Sequence, residues 1–126
     1  IVALSATLNG DGIVNIPGTT GTGVFSVATV NIGAGDQITA VTDTGSASLP
    51  VSISLCQTNP GTGQCISNIG SSVTTQINAG ATPTFGIFVT GTGTVPFNPA
   101  NNRISVRFKD GGGVVRGSTS VAVRTQ

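Results

Sequence analysis

The chain reads as short apolar runs separated by glycine-rich turns, and within the runs the apolar positions recur at every second residue. The clearest run is Arg103 to Lys109, where Ile104, Val106 and Phe108 alternate with Arg103, Ser105, Arg107 and Lys109. Successive side chains of a strand point to opposite faces, so this run has one apolar and one charged face. After the turn at Asp110 to Gly113 the alternation resumes, with Val121 and Val123 set apart from Ala122 and Arg124. That predicts a hairpin with one face on a core.

Further turn signals fall at Asn9 to Gly12, Pro17 to Gly23, Gly33 to Asp36, Asp43 to Ser46, Asn59 to Gly63, Asn78 to Gly80, Gly91 to Gly93 and Pro96 to Asn102. The runs between them are rich in Val, Ile, Thr and Phe, the residues that suit a pleated, half-buried surface. They predict strands near Val2–Leu8, Ile13–Ile16, Val24–Ile32, Gln37–Thr42, Leu49–Gln57, Gln64–Asn68, Val73–Ile77, Thr84–Thr90, Arg103–Lys109 and Val114–Arg124. Short strands at this rhythm belong to a sandwich or barrel.

Composition agrees. Gly and Thr number 19 each, Ser 12 and Asn 9, while Glu is absent, Lys occurs once and Leu only four times. Most strong helix formers are missing, so long helices are not expected. Disordered chains are rich in charge and poor in branched apolar residues, and this chain, 7% charged and 37% hydrophobic, is the reverse. Its 126 residues suit one domain spanning 1–126 with a core of its own. No apolar run is long enough to span a bilayer, and no basic segment followed by an apolar one marks a signal peptide. The chain opens on Ile1, which fits a processed protein or a segment of a longer one.

The final hairpin carries a family resemblance. An alternating strand ending in Phe108-Lys109-Asp110, a glycine turn and the strand Gly117-Ser118-Thr119-Ser120-Val121-Ala122-Val123 resemble the last two strands of bacterial immunoglobulin-like domains of secreted and surface proteins. The segments SLPVSISLC and TPTFGIFV fit further strands of such a domain. The resemblance implies an all-β, immunoglobulin-like antiparallel sandwich with Greek-key connections, serving as a spacer, stalk, adhesin or filament module and not as a catalyst. One departure is plain: antibody-type domains bridge their sheets with distant cysteines around a buried Trp, whereas this chain has no Trp and its two cysteines lie nine positions apart.

Chemistry-bearing residues are scarce. Without His, no Ser-His-Asp or Cys-His nucleophile can be assembled. The carboxylates are Asp11, Asp36, Asp43 and Asp110, all in predicted turns, where Asp typically bonds its own backbone. Asn9 to Gly12 echoes the middle of a calcium loop, but Thr7 would take the first ligand position and Gly18 the twelfth, so two anionic ligands are missing and a hairpin turn explains the stretch better. Two cysteines cannot complete a zinc site, and the glycine clusters lack a phosphate-binding pattern. No cofactor is expected. Trp and Tyr are absent, and four of the five phenylalanines, Phe25, Phe85, Phe88 and Phe108, sit in apolar strand patterns that suggest core rather than a sugar-stacking platform. A groove of Asn and Thr keeps an adhesin-type glycan- or protein-binding domain as the alternative function. An isopeptide bond at Lys109 would require burial that the alternation denies.

The charge distribution says more than the net charge of +1. Residues 1–102 hold three Asp and no basic residue, whereas residues 103–126 hold Arg103, Arg107, Lys109, Arg116, Arg124 and one Asp, giving −3 against +4. A solvated outer face is the simplest reading, and a basic docking face against the acidic part of another copy is the functional one. Nucleic acid is not expected, because no aromatics interleave with the basic positions. At the other end, Ile1, Val2, Ala3, Leu4, Ser5, Ala6, Thr7 and Leu8 form an uncharged run. Such a strand suits pairing in its own sheet or addition to the edge of another subunit. Together these features point to a module of a bacterial surface filament, fibre or stalk, secreted or at the cell surface, with itself as chief partner.

Cys56 and Cys65 flank a turn at Asn59-Pro60-Gly61, with Pro at its second and Gly at its third position. The runs VSISLC and QCISNI are expected to return antiparallel and bring Cys56 opposite Cys65 as a disulfide, free thiols or an interchain bridge being the alternatives. Closing so short a loop stabilises a fold by roughly 2.5 to 3 kcal/mol in the chain-entropy account. A disulfide also places the protein in an oxidising compartment.

Overall fold

A computed structural model describes residues 1–126 as nine strands with no helix. They are β1 (Val2–Thr7), β2 (Ile13–Ile16), β3 (Thr22–Val30), β4 (Asp36–Asp43), β5 (Val51–Thr58), β6 (Ser72–Ile77), β7 (Thr84–Gly91), β8 (Arg103–Lys109) and β9 (Val115–Thr125). Nine of the ten expected strands are present, their ends within two residues of expectation. The tenth, Gln64–Asn68, is not a strand: only isolated bridges, Thr58 to Cys65 and Leu55 to Gly70, tie this region to β5.

The strands form two sheets, one ordered β1-β3-β7-β5 and the other β2-β9-β8-β4-β6. The chain changes sheet at every connection except the last, so β8 and β9 make the only hairpin of consecutive strands. This corrects the hairpin expected at Asn9 to Gly12, which instead carries the chain from one sheet to the other. There the Asp11 carboxylate accepts the Ile13 N–H at 3.1 Å and the Thr7 hydroxyl accepts the Gly12 N–H at 3.0 Å. Side chains close this turn without a ladder, and β2 continues parallel to β9 while the other pairs run antiparallel.

Both sheets turn their apolar positions inward. Phe25, Val27, Leu55, Phe85, Ile87 and Val89 from the four-stranded sheet meet Ile16, Ile38, Ile77, Ile104, Val106, Phe108, Val121 and Val123 from the other, all essentially buried. Phe85, near the start of β7, and Phe108, near the end of β8, lie with ring centroids 5.3 Å apart, joining the two layers. Phe88 departs from expectation: Phe85 and Ile87 face the core, and the period of two puts Phe88 on the outer face, where it is half-buried. Buried Asn31 donates to Ala34 O at 3.0 Å and Ile77 O at 3.1 Å and accepts the Gly33 N–H at 3.0 Å, holding the connection from β3 to β4. No buried side-chain polar atom lacks a partner.

Candidate assembly surfaces

Charge separates the two sheets. None of β1, β3, β5 and β7 contains a charged residue, while β4, β8 and β9 hold seven of the chain's nine. On the outer face of the uncharged sheet, Val2, Leu4 and Ala6 of β1 stand beside Val30, Ala28 and Ser26 of β3. Leu4 is 70% exposed and Leu8, just beyond the strand, 91%. A shallow groove runs between these leucines and the Asn59–Gly63 turn, floored by the small residues Ala6, Ser26 and Ala28.

The edge pattern follows from hydrogen-bond parity. On β3, the Thr29 N–H donates to Pro83 O and the Asn31 N–H to Ala81 O, so odd-numbered residues bond toward β7. In an antiparallel ladder the alternate residues bond the other neighbour, so Val30, Ala28 and Ser26 pair with Val2, Leu4 and Ala6. Ala3 and Ser5 therefore aim their N–H and C=O groups away from the sheet, as Thr7 does its N–H, while the Thr7 C=O accepts the Gly10 N–H at 3.1 Å; β1 passes close to β9 without pairing to it. The start of this edge is anchored, because the Ile1 nitrogen donates to Arg116 O at 2.6 Å at the beginning of β9.

The opposite edge, β5, is covered. The same parity aims Leu55 and Gln57 outward, and there the chain's own segment 64–70 meets them. Leu55 and Gly70 exchange N–H to O bonds of 2.8 and 3.1 Å, the Ile66 N–H donates to Gln57 O at 2.8 Å, and the Asn59 N–H to Gln64 O at 2.8 Å. The Gln57 N–H goes to the Ser67 hydroxyl at 2.8 Å instead of a backbone carbonyl. From Cys65 to Gly70 the returning chain takes five steps against three from Thr58 to Leu55. Ser67 and Asn68 bulge out, which is why no regular strand forms.

Cys56 and Cys65 form a disulfide, their Cα atoms 5.7 Å apart. The register differs from expectation: Cys65 lies opposite Thr58, so the bridge joins residues two positions out of line on one face. The turn differs in detail as well. Asn59 O accepts the N–H groups of both Thr62 and Gly63, the Asn59 side chain accepts that of Gly61, and the glycine with left-handed φ is Gly63, at 74°, and not Gly61. Cys56 is fully buried under this loop while Cys65 is exposed. Beneath lies Gly86 of β7, where a Cβ would stand 3.2 Å from Thr58 Cγ2 and 3.9 Å from the Cys56 sulfur. A glycine in a central strand marks a close approach of other atoms, and that signal is readable in TFGIFV.

The sequence predicts one basic face of Arg103, Arg107, Lys109, Arg116 and Arg124. Arg103, Arg107, Lys109 and Arg124 share the outer side of the second sheet, but Arg116 sits beside the irregularity in the β8–β9 ladder and reaches Ala34 O at 3.1 Å. Arg103 bonds Ser120 and Pro99 O, and Arg124 bonds Asn15 at 2.8 Å and lies over the Phe97 ring at 5.1 Å. Arg107 pairs with Asp43 at 2.6 Å. The hydrogen bond from Arg107 holds the Asp43 carboxyl below its ordinary range, partial burial opposing, and Asp43 in turn holds the guanidinium proton more tightly. Only Lys109 of the five donates no hydrogen bond within the chain. All four carboxylates accept a nearby backbone N–H, and no three metal-ligating side chains converge.

Two sheets packed face to face, linked by repeated crossings and closed by the β8–β9 hairpin, define an immunoglobulin-like β-sandwich. The chain is similar to the N-terminal domain of PorA, with a TM-score of 0.53 and 10% identity over 98% of this chain and 97% of that one. It is also similar to BcpA*(D312A), the major pilin subunit of Bacillus cereus, with a TM-score of 0.47 and 14% identity over 98% of this chain but 40% of the pilin. At 10% identity the likeness to the PorA domain shows the fold alone. No protein-family model and no curated protein matches the chain.

Proposed function

We infer that the chain is an extracellular structural module, an immunoglobulin-like unit suited to be joined in series within a surface stalk, fibre or filament. The observation that carries this is where the two ends leave the sandwich. Ile1 docks on Arg116 at the start of β9, and Gln126 bonds Ile16 O and the Gly18 N–H at its far end. The ten residue steps from Arg116 to Gln126 span roughly 33 Å of strand. A copy joined in series therefore enters at one end and leaves at the other, adding length rather than width.

Two further features support the reading. The Cys56–Cys65 bridge suits an oxidising compartment. The four carboxylates are occupied with backbone N–H groups, consistent with a role in shape rather than reaction. Small-angle scattering of two copies expressed in series provides the test. The largest dimension is expected to exceed that of one copy by roughly one strand length, about 33 Å. A two-copy particle that folds back side by side, with little gain in length, would overturn the serial arrangement.

A further inference from the structure

The two borders of the uncharged sheet are complementary to each other, and one of them is occupied by a piece of its own chain. On β1 the outward groups belong to Ala3, Ser5 and the Thr7 N–H, and on β5 to Ile53, Leu55 and Gln57, continued by Asn59. Both rows are spaced every second residue, as strand pairing requires. Neither strand contains Lys, Arg, Asp or a proline, the features that usually blunt an edge. What occupies β5 is segment 64–70, a bulged and largely exposed stretch with Ile66 and Ile69 more than half exposed. Its hold rests on five hydrogen bonds and on the disulfide that ties its first turn to β5.

We propose that the β5 edge is a latent interface for β1 of a second copy, kept closed by the disulfide-pinned segment 64–70. The occupant is a second copy because β1 supplies what segment 64–70 supplies, an uncharged backbone with outward N–H and C=O groups. Of the second sheet's borders, β2 (Ile13–Ile16) is only four residues long, and β6 (Ser72–Ile77), though also uncharged, follows segment 64–70 directly and already lies close to β5 within the chain. Joining β1 of one copy to β5 of the next uses two different surfaces, so the contact does not close on itself and propagates head to tail. With the disulfide in place, β5 offers a second copy only Ile53 beyond the covered stretch, and propagation through it stops. The bridge thus acts on association as well as on stability, and this inference does not depend on the serial arrangement proposed above.

The test is sedimentation velocity on the Cys56→Ser/Cys65→Ser double variant over a range of concentrations, with circular dichroism reporting the sandwich. The variant is expected to form oligomers at concentrations at least about tenfold below any association of the native protein. Adding Ser5→Pro, which removes an outward N–H and leaves the β1–β3 bonds intact, is expected to abolish this gain. If the double variant loses its sandwich spectrum, Ile66→Pro with the disulfide retained replaces it, since that change removes the bond to Gln57 O from an exposed position. A folded, opened variant that sediments as the native protein does, or whose oligomers persist unchanged with Ser5→Pro, would overturn the proposal.

Discussion

β1 and β5 border the same sheet, and neither carries a charge, yet they meet water in different ways. β1 leaves the outward groups of Ala3 and Ser5 without a partner and carries a 70% exposed leucine on its outer face, whereas β5 has the outward groups of Leu55 and Gln57 taken by a loop and its leucine on the core face. Soluble β proteins commonly guard an edge with lysine or proline. Here the guard on one side is a covalently pinned segment, and the other side has none. The difference teaches that the sparse charge of this chain is a matter of distribution: the second sheet holds most of it, and the first relies on hydroxyls, glycine and a disulfide.

The same substitution at the two borders gives the strongest contrast. Leu55→Ala should cost about 2 to 5 kcal/mol, because Leu55 is 0% exposed and its loss leaves a cavity against the core. Leu4→Ala should stay within about 0.5 kcal/mol. Denaturant melts of both variants measure this, and equal losses would show that Leu4 does not stand on an exposed face. Next in size is the disulfide: the Cys56→Ser/Cys65→Ser variant should lose up to about 2.7 kcal/mol in the same melts, the chain-entropy figure for a loop this short. A variant as stable as the native protein would mean that hydrogen bonds alone hold segment 64–70.

Much of this was legible in the residues. Nine strands stood out because alternation and turn signals are local, and the hairpin from Arg103 onward was clearest because its turn and both its strands are contiguous. The assignment of strands to sheets was hidden, since alternation says that a strand has one buried face but not which layer supplies it. Phe88 shows the same limit: its neighbours are apolar, and only the parity of the β7 ladder places it outside. The guard on β5 was misread as a strand because Gln64, Cys65 and Ile66 look like one, while the Ser67 hydroxyl that replaces a carbonyl acts through a contact ten residues away. The absence of charge from one whole sheet was written in the sequence but became visible only once strands were assigned.

The smallest expected effect concerns the charged sheet. Asp43 titrates below its ordinary value of 3.8 because Arg107 bonds its ionised form, so the pair's contribution is complete above that value and is lost as pH falls through the lower folded one. Asp43→Asn should therefore lower the melting temperature slightly at neutral pH, with the difference shrinking as pH falls through the lowered folded value of Asp43. Both side chains are more than a third exposed, so salt should shrink the neutral-pH difference further. A difference that grows on acidification would contradict the ion pair.

Amide hydrogen exchange of the native protein, resolved residue by residue in dilute solution, tests the contrast between the two borders most directly. The account predicts fast exchange at Ser5 and Thr7 beside protected Leu4 and Ala6, and protection at Leu55, Gln57 and Asn59 along the covered edge. Slow exchange at Ser5 and Thr7, or fast exchange at Leu55 and Gln57, would contradict it.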